Sequence, residues 1–346
     1  MIIKEYSDFR SDTVTKPTDE MRQAMANAEV GDDVLGDDYT VKKLEEMAAE
    51  ITGKEKSLYV PSGTMANELA IKVWTNEGDE VILDSKSHIY SHEVSAISVI
   101  SRILPKPLEF NDGIPNLNEI RDAISPKGLY NFGTKLICLE NTHNHRGGMV
   151  IPIEIFKELM NIANSYDIKI HLDGARIFNA SIASGIKVRE YCKYVHSVMF
   201  CLSKALSAPI GSILCGSKEF IEMARTWRRL LGGGMRQVGV IAAAGIIALT
   251  KMVDRLSEDH RRAKLLAKEI SKIKGLVLDP NKVVTNIIIC RYDYPLFSMQ
   301  EFISKLASKG VLILPMSKNE IRFVTHKDVE DKDIWKAVDV CRSILV

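Results

Sequence analysis

Short apolar runs at 57–60, 81–83, 136–139, 168–172, 198–202 and 211–214 recur along the first two thirds of the chain, separated by helix-like segments such as 65–74 and 153–166. That alternation constrains the fold more than any other feature. Strands that read as unbroken apolar runs suit a sheet covered by helices on both faces, and strand–helix alternation returns successive strands parallel. The expectation is an α/β fold with a mainly parallel sheet. In open sheets of this kind ligands collect at the carboxyl ends of the strands. The residues that close each run are therefore the candidates for chemistry.

Near residue 250 the pattern changes. Segment 251–273 reads as a long charged helix, followed by strands at 285–290, 311–314 and 321–324 and by helices at 299–308 and 331–345. This predicts a polar N-terminal arm (1–20), a large domain (21–252) and a small α+β domain (253–346). A net charge of +1 gives no reason to expect nucleic acid or an acidic membrane as a partner. No window approaches the roughly 20 apolar residues of a membrane span, and the first six residues carry no signal-peptide pattern, so a cytoplasmic protein is expected. The apolar stretch 238–249 reads as a buried helix. Six cysteines (Cys138, Cys192, Cys201, Cys215, Cys290, Cys341) fall at no metal-ligand spacing and read as buried free thiols. The histidines form no metal constellation either, and no metal is expected.

Run 198–202 ends in Ser203-Lys204. A lysine just past a buried strand sits where desolvation disfavours the ammonium form, which frees an amine for imine chemistry. Run 168–172 ends in Asp173, with Arg176 one turn on. An acid and a lysine at successive strand ends are what a pyridoxal 5'-phosphate site requires, the acid for the ring nitrogen and the lysine for the aldehyde. The remaining strand ends fit the same group. Ser62-Gly63-Thr64 opens a helix, where amide groups and a hydroxyl can cradle a phosphate. His88 follows run 81–83, placed either to lie on a ring or to hydrogen-bond within its loop. A polar cluster, Glu140 to Asn144, follows run 136–139. Arg176 and Arg322 are planar forks suited to a carboxylate. Arg236 follows a triple glycine that either reaches a phosphate, possibly across a subunit interface, or simply connects two helices.

With those residues in place the chain resembles the low-specificity L-threonine aldolases, in the β-eliminating lyase group of fold-type I pyridoxal-phosphate enzymes. The resemblance runs from Asp8 to about Asp328. Its carriers are Phe9-Arg-Ser-Asp-Thr-Val-Thr15, Val30-Gly-Asp-Asp-Val34, Val60-Pro-Ser-Gly-Thr-Met65, Glu140-Asn-Thr-His-Asn144, His171-Leu-Asp-Gly-Ala-Arg-Ile-Phe-Asn179, Cys201-Leu-Ser-Lys204 and Gly232-Gly-Gly-Met-Arg-Gln237. It implies that Lys204 bonds the cofactor aldehyde, that His88 stacks on the ring and that Asp173 pairs with its nitrogen. It further implies that Gly63, Thr64 and a neighbouring subunit's Arg236 hold the phosphate, and that Ser11, Arg176 and Arg322 bind the substrate carboxylate. The implied assembly is a homotetramer, a dimer of dimers with active sites at the dimer interface.

The implied reaction is retro-aldol cleavage of a β-hydroxy-α-amino acid, L-threonine or L-allo-threonine, to glycine and an aldehyde. Candidates for the base at the β-hydroxyl are His88, His92, His143 or a water. Three positions depart from the expected pattern: Leu35 for a common tyrosine, Ile89 to His92 for an aromatic run, and Asn131 for a histidine. All three are expected on the substrate side of the pocket, which leaves β-elimination, racemisation and transamination as alternatives on the same fold. A non-catalytic cofactor-binding protein is the remaining one.

Overall fold

In the computed structural model residues 6–345 are described; the first five residues of the expected N-terminal arm and the last residue of the expected small domain lie outside them. Seven strands form the main sheet: β1 (Lys56–Val60), β2 (Glu80–Asp84), β3 (Leu104–Leu108), β4 (Thr134–Glu140), β5 (Lys169–Asp173), β6 (Ser197–Cys201) and β7 (Ser212–Gly216). Their order across the sheet is β1-β7-β6-β5-β4-β2-β3, with β7 antiparallel to both neighbours and every other pairing parallel. The carboxyl ends of β1 to β6 consequently share one edge. β2, β6 and β7 are buried along their whole length. That is the burial expected of strands with helices on both faces.

Six of the seven strands match the apolar runs; β3 has no counterpart among them. Its sequence, Leu-Pro-Lys-Pro-Leu, reads as a strand breaker. It pairs only with β2, as an edge strand. Pro105 and Pro107 share one parity, while the Leu104 N–H donates to Asp79 O across the pair. The two imino nitrogens thus face the open edge, where no ladder bond is lost.

A second sheet runs β8 (Leu276–Val277), β9 (Ile287–Tyr292), β10 (Leu314–Pro315) and β11 (Glu320–Val324), in the antiparallel order β10-β11-β9-β8. With helices Leu256–Ile270, Met299–Ser308 and Asp331–Ile344 it encloses a separate core. Helix Met299–Ser308 starts at a capping box, Ser298 with Glu301. The helix expected over 251–273 begins only at Leu256. The chain turns between Lys251 and Leu256 because helix Gly239–Lys251 packs into the large core and helix Leu256–Ile270 into the small one. The strand expected from 285 starts at Ile287, since Thr285 and Asn286 are buried and spend their side chains on Gly148 O and Asp12.

The N-terminal arm belongs structurally to this second core. Ser7–Asp8 pairs in parallel with Val311–Leu312, and Phe9 is fully buried against Phe323. The next residues, Ser11 and Asp12, are thereby carried into the cleft between the two cores. Among the described residues no helix is long and apolar enough to cross a membrane.

Candidate active site

A cavity of about 300 Å³ opens at the carboxyl edge of the main sheet, between the two cores. Strand ends supply most of its wall: His88 and His92 after β2, Glu140, Asn144 and His145 at and after β4, Asp173 and Arg176 at and after β5, and Lys204 after β6. Ser11 of the arm and Arg322 of β11 close it. A larger depression, about 700 Å³, lies beside helices Tyr39–Thr52 and Lys218–Leu230. Lysines, glutamates and an arginine dominate its lining, with no histidine. The chemistry converges on the smaller one.

Asp173 is 2% exposed. Its Oδ2 accepts from Asn67 Nδ2 at 2.9 Å and its Oδ1 from the Ala175 N–H at 3.0 Å. Burial opposes its charge, but His88, Lys204 and these two donors outweigh that and hold its pKa below the ordinary carboxylate value. Behind Asp173 runs a buried chain of hydrogen bonds. Trp74 Nε1 donates to Ser197 Oγ at 2.8 Å, and Ser197 Oγ lies 2.9 Å from His171 Nδ1. His171 Nε2 lies 3.0 Å from Asn67 Oδ1, and the Asn67 amide serves both Asp173 and Glu93. Because the Trp74 N–H can only donate, one direction satisfies every member: Ser197 O–H to Nδ1, then Nε2–H to Asn67. Burial lowers the His171 pKa to about 4, so it holds that single tautomer uncharged at neutral pH.

His88 Nδ1 lies 2.7 Å from Glu93 Oε1, and the His88 backbone N–H donates to Glu140 Oε2 at 2.7 Å. Burial pulls the imidazole pKa down, yet Glu93 and Asp173 together raise it above the ordinary value. The donor atoms of His88, Glu93 and Asp173 lie within 4.8 Å of one another, a grouping that sequence spacing does not foretell. The shared Asn67 amide accounts for its geometry. Glu68 is buried behind Glu93, and burial with that neighbouring charge raises its pKa to about 8, so Glu68 is mostly protonated at neutral pH.

On the opposite side lie two guanidinium groups, and only one of them is paired with a carboxylate. Arg176 grips Asp12 through Nε and Nη2, both at 2.7 Å, with both residues buried. Arg322 donates to Asn144 Oδ1 at 3.0 Å and to Arg10 O at 3.1 Å, while its buried Nε has no partner. Burial and the Arg176 charge lower the Arg322 pKa to about 10. A guanidinium in that position stays charged at neutral pH and has no ion-pair partner among the described residues, so the pocket is built for an anion.

Asp12 is the acid that makes this arrangement stable. Asp12→Ala is expected to cost about 3–5 kcal/mol in urea unfolding, since it leaves the Arg176 charge buried and unpaired. Burial opposes the Asp12 charge, but Arg176 dominates and holds its folded pKa well below the unfolded value. Its contribution is thus complete above the unfolded pKa of about 4. It is lost only as the pH falls through the lower folded value. An Asp12→Ala variant as stable as the parent protein at pH 7 would refute this account.

The other expected site residues are placed as follows. Helix Gly63–Trp74 begins with Ser62 as cap, its Oγ accepting from Met65 N, which leaves the first-turn amides directed outward. A Cβ on Gly63 would lie 2.9 Å from Met199 Cε and 3.0 Å from Cys201 Sγ, so this turn packs directly on β6, the strand that leads to Lys204. Lys204 is half-buried rather than sealed, and its charge is felt by both Asp12 and Asp173. Arg236 lies outside the cavity, exposed, in an ion pair of 2.7 Å with Asp32.

Several expectations need correcting within the single chain. His143 does not line the cavity; it is 1% exposed beneath it, with Nε2 2.7 Å from Asp84 Oδ2 but out of line for a hydrogen bond. Its backbone bridges to Met149, which turns the side chain toward β2. Leu35 lines a separate surface depression with Val34 and Arg225. Asn131 precedes β4 and so stands at the amino edge of the sheet, in an exposed loop. Of the three departures only His92 reaches this cavity. The sequence pattern assigns no role to Asp12, Asn67, Glu93 or His145, and it offers Asn144 only as the end of a polar cluster. Asn67 carries a signal shared with Glu68: both are polar residues within the buried run Ala66 to Ile71 of their helix.

The groups present suit pyridoxal phosphate: a buried anionic carboxylate, an amine on the same cavity, an imidazole beside both, and a glycine-opened helix turn against the strand that bears the amine. The fold is that of the fold-type I enzymes, and the relatives and the family make the chain a pyridoxal-phosphate-dependent lyase. The beta-eliminating lyase family profile matches residues 8–292, and the chain belongs to that family. It is 44% identical over 332 residues to low-specificity L-threonine aldolase 1 of Arabidopsis thaliana, covering 94% of this chain and 93% of that one. It is 38% identical over 340 residues to the low specificity L-threonine aldolase of Escherichia coli, covering 98% and 99%. Among solved structures, the threonine aldolase of Leishmania major superposes with a TM-score of 0.83 at 16% identity, covering 98% of this chain and 99% of that one, a likeness of fold. Family membership carries dependence on pyridoxal phosphate with it.

Proposed function

We propose that this enzyme cleaves L-threonine, L-allo-threonine and related β-hydroxy-α-amino acids to glycine and an aldehyde. The observation that carries the reading is the pairing, on one cavity, of Lys204 with the buried anionic Asp173, opposite a guanidinium that has no ion-pair partner among the described residues. The substrate's carboxylate seats on Arg322 and Ser11, with Arg176 held in place behind them by Asp12. Its amino group is presented to Lys204.

Lys204 would hold pyridoxal phosphate through its aldehyde, Asp173 through its ring nitrogen and His88 against its ring face. Gly63 and Thr64 would hold its phosphate, with Arg236 of a second copy of the chain. Bound there, the cofactor supplies an electron sink for the pair released when the Cα–Cβ bond breaks. The protein's own part is to keep Asp173 ionised, so that a proton stays on the ring nitrogen, and to fix the carboxylate so that the Cα–Cβ bond faces the histidines. The exposed Arg236 loop is consistent with a site completed by a neighbouring subunit, in a tetramer built from dimers; light scattering on the eluting protein measures that mass directly.

The reaction is tested by product analysis. With cofactor-loaded protein, threonine and allo-threonine are expected to yield acetaldehyde, read by a coupled reductase, and glycine in equal amounts. Ammonia with a 2-oxo acid would instead transfer the assignment to β-elimination.

A further inference from the structure

We propose that His92 is the base that takes the β-hydroxyl proton of the substrate, with His145 as its positioning partner. The assignment rests on the retro-aldol reading above. His92 follows the short helix His88–Ser91, and His145 lies in the turn Asn144–Arg146 after β4. Separated by 53 positions, their Nε2 atoms lie 3.2 Å apart and their ring centroids 4.4 Å apart. The His92 ring is stacked 5.6 Å from that of His88. Both imidazoles line the cavity that holds Lys204, Asp173 and Arg322.

Hydrogen bonding decides which nitrogen of His92 is free to accept. Ser91 Oγ donates its one proton to the Ser87 carbonyl at 2.7 Å. Towards His92 Nδ1, at 2.8 Å, the same oxygen can therefore only accept, which places a proton on Nδ1. Neutral His92 then has its lone pair at Nε2. The 3.2 Å contact has His145 donate its Nε2–H to that lone pair, so the substrate hydroxyl takes this donor's place when it hands over its proton. The pair is thus oriented: His92 is the base at Nε2, held by His145 until the substrate displaces it, while the lone pair of His145 sits on its other nitrogen, Nδ1.

Charge around the pair keeps it unprotonated before substrate binds. The facing charged or titratable groups are Glu140 of β4, His88 after β2, His143 under the cavity and Arg322 of β11. Burial, then His92 and its other cationic neighbours, lower the His145 pKa to about 4. Burial and His88 lower that of His92, with Glu140 opposing them. The other two candidate histidines are otherwise engaged. His88 holds its proton more tightly because Glu93 raises its pKa, and His143 is buried outside the cavity.

In the step itself the hydroxyl O–H bond breaks and an N–H bond forms at His92 Nε2. The oxygen lone pair becomes the second bond of the aldehyde C=O, and the Cα–Cβ pair stays with Cα. Cα then regains one proton, so one proton leaves the hydroxyl and one enters glycine. No oxidant or reductant is consumed. Glu140 faces the imidazolium formed on His92 and offsets its charge.

The experiment compares His92→Phe and His145→Phe with the parent enzyme on two reactions. Threonine cleavage needs the hydroxyl base, whereas exchange of the glycine α-protons in D2O, followed by NMR, does not. His92→Phe is expected to lose roughly a hundredfold in kcat for threonine. Its glycine exchange is expected to stay within about twofold of the parent, and the acid limb of its cleavage pH profile to flatten. His145→Phe removes the donor to Nε2, so a smaller loss with the acid limb moved to higher pH is expected. In 15N-histidine-labelled protein without cofactor, His92 is expected as the Nδ1–H tautomer and His145 as Nε2–H.

Parent-like threonine cleavage by His92→Phe would overturn the assignment. So would equal loss of both reactions, the opposite tautomers, or a divalent ion whose removal by chelation abolishes cleavage. A parent enzyme that exchanges glycine protons without cleaving threonine would instead sink the retro-aldol reading, and this assignment with it.

Discussion

Replacing Lys204 with alanine is expected to abolish threonine cleavage, by roughly 10⁴-fold or more, and with it the absorbance of a lysine-bound cofactor. The two losses belong together because the same nitrogen both tethers the aldehyde and yields it to the incoming amine. The loss is not one of folding. Lys204 is half-buried and its side chain makes no hydrogen bond among the described residues; its backbone carbonyl is engaged, accepting from Thr15 Oγ1 and the Ser207 N–H. Near-parent stability in urea is therefore expected. Retained turnover in a well-folded Lys204→Ala protein would refute the proposed chemistry.

Asp173→Asn is expected to separate what Lys204→Ala removes together. Lys204 remains to tether the cofactor, so the absorbance persists, but turnover falls by about a thousandfold. Asp173 is held below the ordinary carboxylate pKa, so it is ionised throughout the working range and no pH change restores what asparagine lacks. An amide also fits the local network badly. Both carboxylate oxygens accept from fixed donors, Asn67 Nδ2 and the Ala175 N–H, so one of these must face an NH2 group. A variant that turns over at the parent rate would show that the electron sink does not depend on this carboxylate.

Lys204 and Asp173 are legible in the sequence because their signal is local. Each ends an apolar run, and a parallel sheet collects such ends at one edge. The same logic places His88, Arg176 and the Ser62-Gly63-Thr64 turn. It fails for β3, where two prolines are tolerated because an edge strand has a side with no ladder bonds to lose. It fails again for His143, whose spacing from Glu140 suggests a place on the pocket wall. The backbone bridge to Met149 buries that ring, and His145, two residues on, reaches the cavity instead.

What the chain order could settle, then, was the class of fold and the residues that close each strand, all properties of strand ends read one at a time. What needed the folded chain was every pairing between them. Asp12 meets Arg176 across 164 positions because the arm pairs with Val311–Leu312, and Asn67 meets Asp173 across 106 because its helix packs on β5 in a sheet ordered β1-β7-β6-β5-β4-β2-β3 and not by sequence. His92 and His145 meet for the same reason: β2 and β4 are neighbours in space with β3 displaced to the edge. Side-chain contact, burial and the charges that follow from them depend on that arrangement, and no periodicity in the sequence encodes it.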